Sequence, residues 1–165
     1  MTARPIRNNA AYVAACLATM SAAVSAYWAV GGMALLDTVG GGFERMARRR
    51  DAAALVTISV VVVAKLVAAA LALTLTRWPR SRRVGRRLAL ANRLIGWGLA
   101  LYGGLLVIVG LLVLTGGIRS DSSTDRHALR WHVGLWDLWF FIWGIAQASA
   151  ARQYRRAVLA SDRDG

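Results

Sequence analysis

Residues 94–114 read LIGWGLALYGGLLVIVGLLVL, a run without a single charge. A helix rises 1.5 Å per residue, so this run covers roughly 30 Å, the thickness of a bilayer's hydrocarbon core. A buried strand would be much shorter. In lipid, only a helix or a closed barrel satisfies its own backbone N–H and C=O groups. The run therefore reads as a transmembrane helix, and the rest of the chain repeats its pattern. Residues 10–30 are apolar but for small polar members such as Thr19, Ser21 and Ser25; residues 52–75 carry one charge, Lys65; residues 132–151 carry one acid, Asp137. The expectation is an all-α, polytopic membrane protein. It is a single domain over residues 1–165, a four-transmembrane-helix bundle with spans at approximately 10–30, 52–75, 94–114 and 132–151. A short basic N-terminus and a short basic tail flank it.

Composition points the same way. Hydrophobic residues make up 57% of the chain, against about 45–50% in a soluble domain. The 21 basic and 8 acidic residues give a net charge of +13, but the charge sits in short blocks between long uncharged runs. This excludes a disordered tail, a disulfide scaffold and an ordinary soluble enzyme. Nucleic acid is excluded as a partner, because no segment between the spans is long enough to form the folded module that would bind it. Arg4 and Arg7 before an apolar stretch, with Val24-Ser25-Ala26 beyond, have the look of a signal peptide. The apolar run continues past Tyr27 and Trp28, residues suited to an interfacial anchor, so it is expected to remain as the first span.

Arginine sets the expected orientation. Twelve arginines lie in the N-terminus, the second loop and the tail, and seven in the first and third loops. Basic residues mark cytoplasmic segments, so both termini are expected in the cytoplasm, with Arg48-Arg49-Arg50 opposing that bias. The basic blocks read as topology signals that also attract anionic headgroups.

Local signals agree with the spans. Asp51 is placed to cap the second span, and Trp78-Pro79 to close it. Gly116-Gly117 ends the third. Thr124 or Asp125 is placed to cap a short lead-in helix through His127 and Arg130, and residues 43–50 read as an interfacial turn of helix. Ala14, Ala18, Ala22 and Ala26 form a small-residue stripe, as do Gly96, Ala100 and Gly104. Such faces allow close helix packing within the bundle or in a homodimer.

Few chemistries are available to these residues. Cys16 is the only cysteine, so it makes no intramolecular disulfide and reads as a packing residue. His127, His132 and Asp137 follow at steps of five, which an α-helix does not align on one face, so no metal site is expected from them. No nucleophile motif or phosphate-binding glycine loop is present, and no cofactor or catalytic residue is assigned. Two ionisable groups remain inside the spans. Each costs about 2.5–3.5 kcal/mol at the centre of a bilayer, so Lys65 and Asp137 should face protein or a wet cavity. By helical rise, Lys65 lies about 18 Å and Asp137 about 7 Å from the outer face. A direct Lys65–Asp137 pair is open on that arithmetic. The last span is crowded with Trp131, Trp136, Trp139 and Trp143 beside Phe140 and Phe141; packing bulk is the favoured reading and an aromatic lipid pocket the other.

Tyr27-Trp28-Ala29-Val30-Gly31-Gly32, Leu36-Asp37-Thr38-Val39-Gly40-Gly41, Leu101-Tyr102-Gly103-Gly104, Leu129-Arg130-Trp131-His132 and Leu135-Trp136-Asp137-Leu138-Trp139-Phe140 follow one another in order. Together they resemble a bacterial family of small four-helix membrane proteins, common in actinobacteria, classed only as a domain of unknown function. The resemblance covers roughly residues 20–150. Relatives often carry His where Ser25 stands and Pro where Leu138 stands. It implies four helices and a multi-pass place in the cell membrane, and no activity, substrate or cofactor. Twenty arginines against one lysine fit a GC-rich bacterial genome.

The candidate polar residues are thus Lys65, Asp137, His132, Asp37, Trp28 and Trp136. The leading expectation is a non-enzymatic assembly or regulatory partner within the lipid bilayer, working with another membrane protein or a second copy of itself. One alternative is a small transporter or ion pathway using Lys65 and Asp137. The other is a membrane-embedded enzyme acting on lipid through Asp137 and His132, with Lys65 as a further candidate.

Overall fold

The computed structural model describes residues 6–39, 41–77, 79, 81–118 and 126–161. It is all-helical, with no strand among the described residues. The helices are α1 (Asn9–Ala29), α2 (Gly41–Arg49), α3 (Ala52–Thr74), α4 (Arg82–Leu114), α5 (Arg126–Trp131) and α6 (Asp137–Ser161), with a π-helical turn, His132–Trp136, joining α5 to α6. Caps account for several of these boundaries. Asn8 Oδ1 accepts from Ala11 N (3.2 Å), Asp51 Oδ1 from Ala54 N (2.8 Å) and Ser81 Oγ from Val84 N (3.3 Å), satisfying N–H groups that the first helical turn leaves without partners. Helix α4 ends just ahead of Gly116, whose φ of +79° favours a residue without a Cβ. The expected lead-in helix and interfacial turn correspond to α5 and α2. The proposed caps Thr124 and Asp125 lie outside the described residues.

Helices α1, α3 and α4 are long and apolar enough to cross a membrane. The fourth expected span does not form one regular helix. It is divided between the π turn and α6, whose apolar run is diluted by Asp137, Gln147 and the arginines at 152, 155 and 156. The third span is longer than expected, because α4 begins at Arg82 and runs for 33 residues.

Helix α1 packs against α3 on one side and α6 on the other, and α4 packs along α6. Small residues allow this. Ala14, Ala15 and Ala18 of α1 meet Ala68, Ala69 and Ala72 of α3, with Trp143 of α6 filling the space beside them. Along the α4–α6 seam the backbones nearly touch. A Cβ on Gly96 would stand 2.5 Å from Ala148 N, and one on Gly144 would collide with Ala100 N. Gly103, and not the expected Gly104, completes this face, because the 3.6-residue period drifts off a strict four-residue step. Ala26 is only half-buried, so the α1 stripe stops at Ala22.

Amides hold the helices together where side chains are buried. Gln147 Nε2 donates to Ala68 O (3.2 Å) and Asn92 Oδ1 (2.9 Å), while its Oε1 accepts from Trp143 Nε1 (3.0 Å). Asn92 Nδ2 donates to Leu71 O (3.1 Å), joining α4 to α3. Asn8 Nδ2 donates to Leu75 O (3.3 Å) and Ala150 O (3.0 Å). The start of α1, the end of α3, the start of α4 and the end of α6 therefore share one end of the bundle, which carries most of the arginines.

Candidate functional site

The opposite end is closed by the segment that follows α1. Gly31 takes a φ of +101° and Leu35 one of +62°, so the chain doubles back over the helix ends. Leu36 is driven inside, at 1% exposure, where it meets Trp28, Ala47 and Ile58. Three polar contacts fix the fold of this cap. Trp28 Nε1 donates to Ala34 O (2.9 Å), Trp136 Nε1 donates to Thr38 Oγ1 (3.1 Å), and Thr38 Oγ1 donates to Leu35 O (2.6 Å). The Trp28 and Trp136 rings meet edge to face, centroids 5.5 Å apart. An indole buried by its ring needs a partner for its N–H, and both find one in the cap.

The π turn supplies the rest of the site. Asp137 N–H bonds to His132 O, five residues back, where an α-helix would use the fourth. That wider turn stacks residue 137 over residue 132. Asp137 Oδ1 lies 3.4 Å from His132 Nδ1, and His132 Nε2 lies 2.8 Å from Val39 O. A step of five, set aside as off-face on α-helical geometry, is thus brought onto one face by a single turn of different pitch.

Donor and acceptor chemistry then constrains the couple. Val39 O only accepts, so Nε2 must carry a hydrogen. Nδ1 faces a carboxyl group that is 5% exposed. The contact is a hydrogen bond only if a proton lies between them, on the imidazole or on the acid. The Val39 carbonyl ties this pair to the cap.

Lys65 is not part of this cluster. Its Nζ donates to Ser25 Oγ (2.8 Å) and Ser21 O (3.2 Å) in the α1–α3 seam and lies 5.7 Å from the centre of the Phe140 ring. The direct Lys65–Asp137 pair is not formed, because each group has its own partner on a nearer element. Asp37 is exposed beside the buried Thr38. Of the six candidates, Trp28, Trp136, His132 and Asp137 come together, Asp37 lies at their edge, and Lys65 stands apart. Sequence reasoning missed Thr38 and Val39, the cap's two contacts to the π turn, although both lie in a quoted motif. It also missed Asn92 and Gln147, whose signal was an uncharged amide in an apolar helix, the usual interhelical donor in lipid.

A family model described as "Protein of unknown function (DUF3995)" matches residues 9–147, from the start of α1 to Gln147. No curated protein and no solved structure matches the chain.

Proposed function

Because the chain belongs to the family of proteins of unknown function DUF3995, whose description assigns no activity, we propose a role from the geometry. It is a four-span protein of a bacterial cell membrane, with both termini cytoplasmic, that acts without catalysis as an assembly or regulatory partner inside the bilayer. One observation carries this reading. Three polar side chains within the spans are bonded to polar neighbours or to backbone: Lys65 to Ser21 and Ser25, Asp137 to His132, and Gln147 to Asn92 and Ala68. What the bundle offers outward is aliphatic. Val56, Val60, Val63 and Val67 of α3 and Leu101, Leu105 and Ile108 of α4 are all exposed, a surface suited to lipid or to another transmembrane helix.

The fourth span is supported by the course of α6. It runs beside both α1 and α4, and its buried Asp137, Trp143 and Gln147 point into the bundle. An ion pathway through Lys65 and Asp137 is less well supported, since the two groups are bound to different partners. The two helix faces provide the test. A photo-crosslinking residue placed at Val60 and, separately, at Leu101 in native membranes should give one discrete protein adduct from one face and lipid from the other. Lipid alone from both faces, with proton or cation flux in reconstituted vesicles that Lys65→Leu abolishes, would replace this reading with transport. Orientation has its own check. In a Cys16→Ala background, an impermeant thiol reagent on intact cells should label Asp37→Cys and not Ser81→Cys; the reverse pattern would invert the topology.

A further inference from the structure

At the arginine end, α4 and α6 run on past what a bilayer requires. Helix α4 has 33 residues, about 50 Å of helix, where a span needs about 20 residues. Its first turns lie beside the last turns of α6, and between them is a cavity of about 440 Å³, within the range of roughly 300–1,000 Å³ found for small-molecule sites. A second cavity of about 370 Å³ shares Arg93, Arg155 and Leu159 with it.

The lining is divided by chemistry. Ala89, Leu90 and Leu159 give it an apolar part, and Arg82, Arg86, Arg93 and Arg155 a cationic part. The acids among the described residues, Asp37, Glu44, Asp51 and Asp137, all belong to the other end of the bundle. One wall carries Tyr154, which is 2% exposed and whose hydroxyl has no hydrogen-bond partner. Buried hydroxyls are normally paired. Gly85 lets α4 pack directly against that hydroxyl, since a Cβ there would stand 2.8 Å from the Tyr154 oxygen. The site therefore offers arginine guanidinium groups and one unused donor beside apolar side chains.

We propose that this cavity binds an anionic phospholipid, its phosphate held by Arg86, Arg93, Arg155 and the Tyr154 hydroxyl and the start of its acyl chains lying along Leu90 and Leu159. Guanidinium groups match phosphate oxygens in charge and geometry. A free phosphate ion shares that chemistry but has no use for the apolar lining. The position, where two helices emerge from the hydrocarbon, is the level at which headgroups lie, and basic pockets between helices hold such headgroups. This goes beyond the role proposed above and stands whichever compartment this end faces.

Thermal unfolding of the full chain in neutral detergent tests it, with phosphatidylglycerol, phosphatidylcholine or inorganic phosphate added. Phosphatidylglycerol should raise the midpoint, and the other two should not. Arg93→Gln with Arg155→Gln should raise the phosphatidylglycerol needed by about tenfold or more. Arg83→Gln with Arg87→Gln, an equal loss of charge from residues lining neither cavity, should leave the response intact. Tyr154→Phe should weaken the lipid response several-fold while leaving the lipid-free midpoint unchanged or higher, because it removes an unpaired hydroxyl. If the arginine pair variant does not fold, the Tyr154→Phe arm decides. Equal stabilisation by phosphate alone, equal loss in both arginine pairs, or an unchanged lipid response in Tyr154→Phe would each overturn the proposal.

Discussion

At the capped end, Trp28, Trp136, Thr38 and His132 each direct a polar atom at a neighbour, and Leu36 and Ala47 close the apolar space behind them. At the arginine end the same bundle holds open cavities lined by arginines, and a buried hydroxyl without a partner. Among the described residues, one end is satisfied by its own chain, and the other leaves the Tyr154 hydroxyl without a partner. The difference teaches where to look for a ligand in a membrane protein of this size. Polar atoms already paired inside the fold specify its shape, and unpaired ones at its edge mark what it binds.

The comparison is broken most easily with tryptophan. Trp28 is 6% exposed and holds the cap through its indole, whereas Trp97, beside the arginine-end cavity, is 47% exposed. Trp28→Ala should cost about 3–5 kcal/mol, the range for emptying a buried aromatic site. Trp97→Ala should cost less than about 1 kcal/mol. Denaturant or thermal unfolding in detergent measures both, and equal losses would erase the distinction between the ends.

A smaller effect sharpens the picture of the cap. Asp137→Leu leaves His132 Nδ1 against an apolar side chain and should cost about 1–3 kcal/mol, the range for a buried polar group deprived of its partner. In a His132→Phe background the same change should cost about 1 kcal/mol less, because the partner is already gone. A loss from Asp137→Leu that is the same in both backgrounds would show that the two side chains do not act as a pair.

Much of this architecture was legible in the sequence, for reasons that are local. Apolar runs mark where α1, α3 and α4 lie, though not the full length of α4, and Asp51 before three alanines marks a cap. The site was legible as a set of residues and not as an arrangement. The π turn at 132–136 places Asp137 on His132, and no hydrophobic period reveals a single turn of wider pitch. The choice of Gly103 over Gly104 depends on how far a helix has rotated by the time it meets its neighbour. Tyr154 and Gly85 lie 69 positions apart in the chain, so the cavity they share exists only once α4 and α6 are paired. Lys65 drew attention for its charge, while the serines that hold it looked like small packing residues.

Lys65 also gives the smallest and most discriminating prediction. Helical rise left a Lys65–Asp137 pair open, and a pair buried in lipid would couple strongly, since removing one partner strands the other's charge. In the structure the Lys65 ammonium is taken by Ser25 Oγ, Ser21 O and the face of Phe140, and the Asp137 carboxyl by His132. The two groups thus belong to different networks on different helix pairs, Lys65 to the α1–α3 seam and Asp137 to the cap. Lys65→Leu and Asp137→Leu should therefore be additive within about 0.5 kcal/mol, the tolerance for sites that share no partner. The measurement is the unfolding free energy of the two single variants and the double in one detergent. A double variant more stable than the sum of its parts by well over that margin would restore the direct pair and join the middle of the bundle to its cap. Additivity, together with the coupling expected between His132 and Asp137, would confine the polar network of the cap to the cap itself.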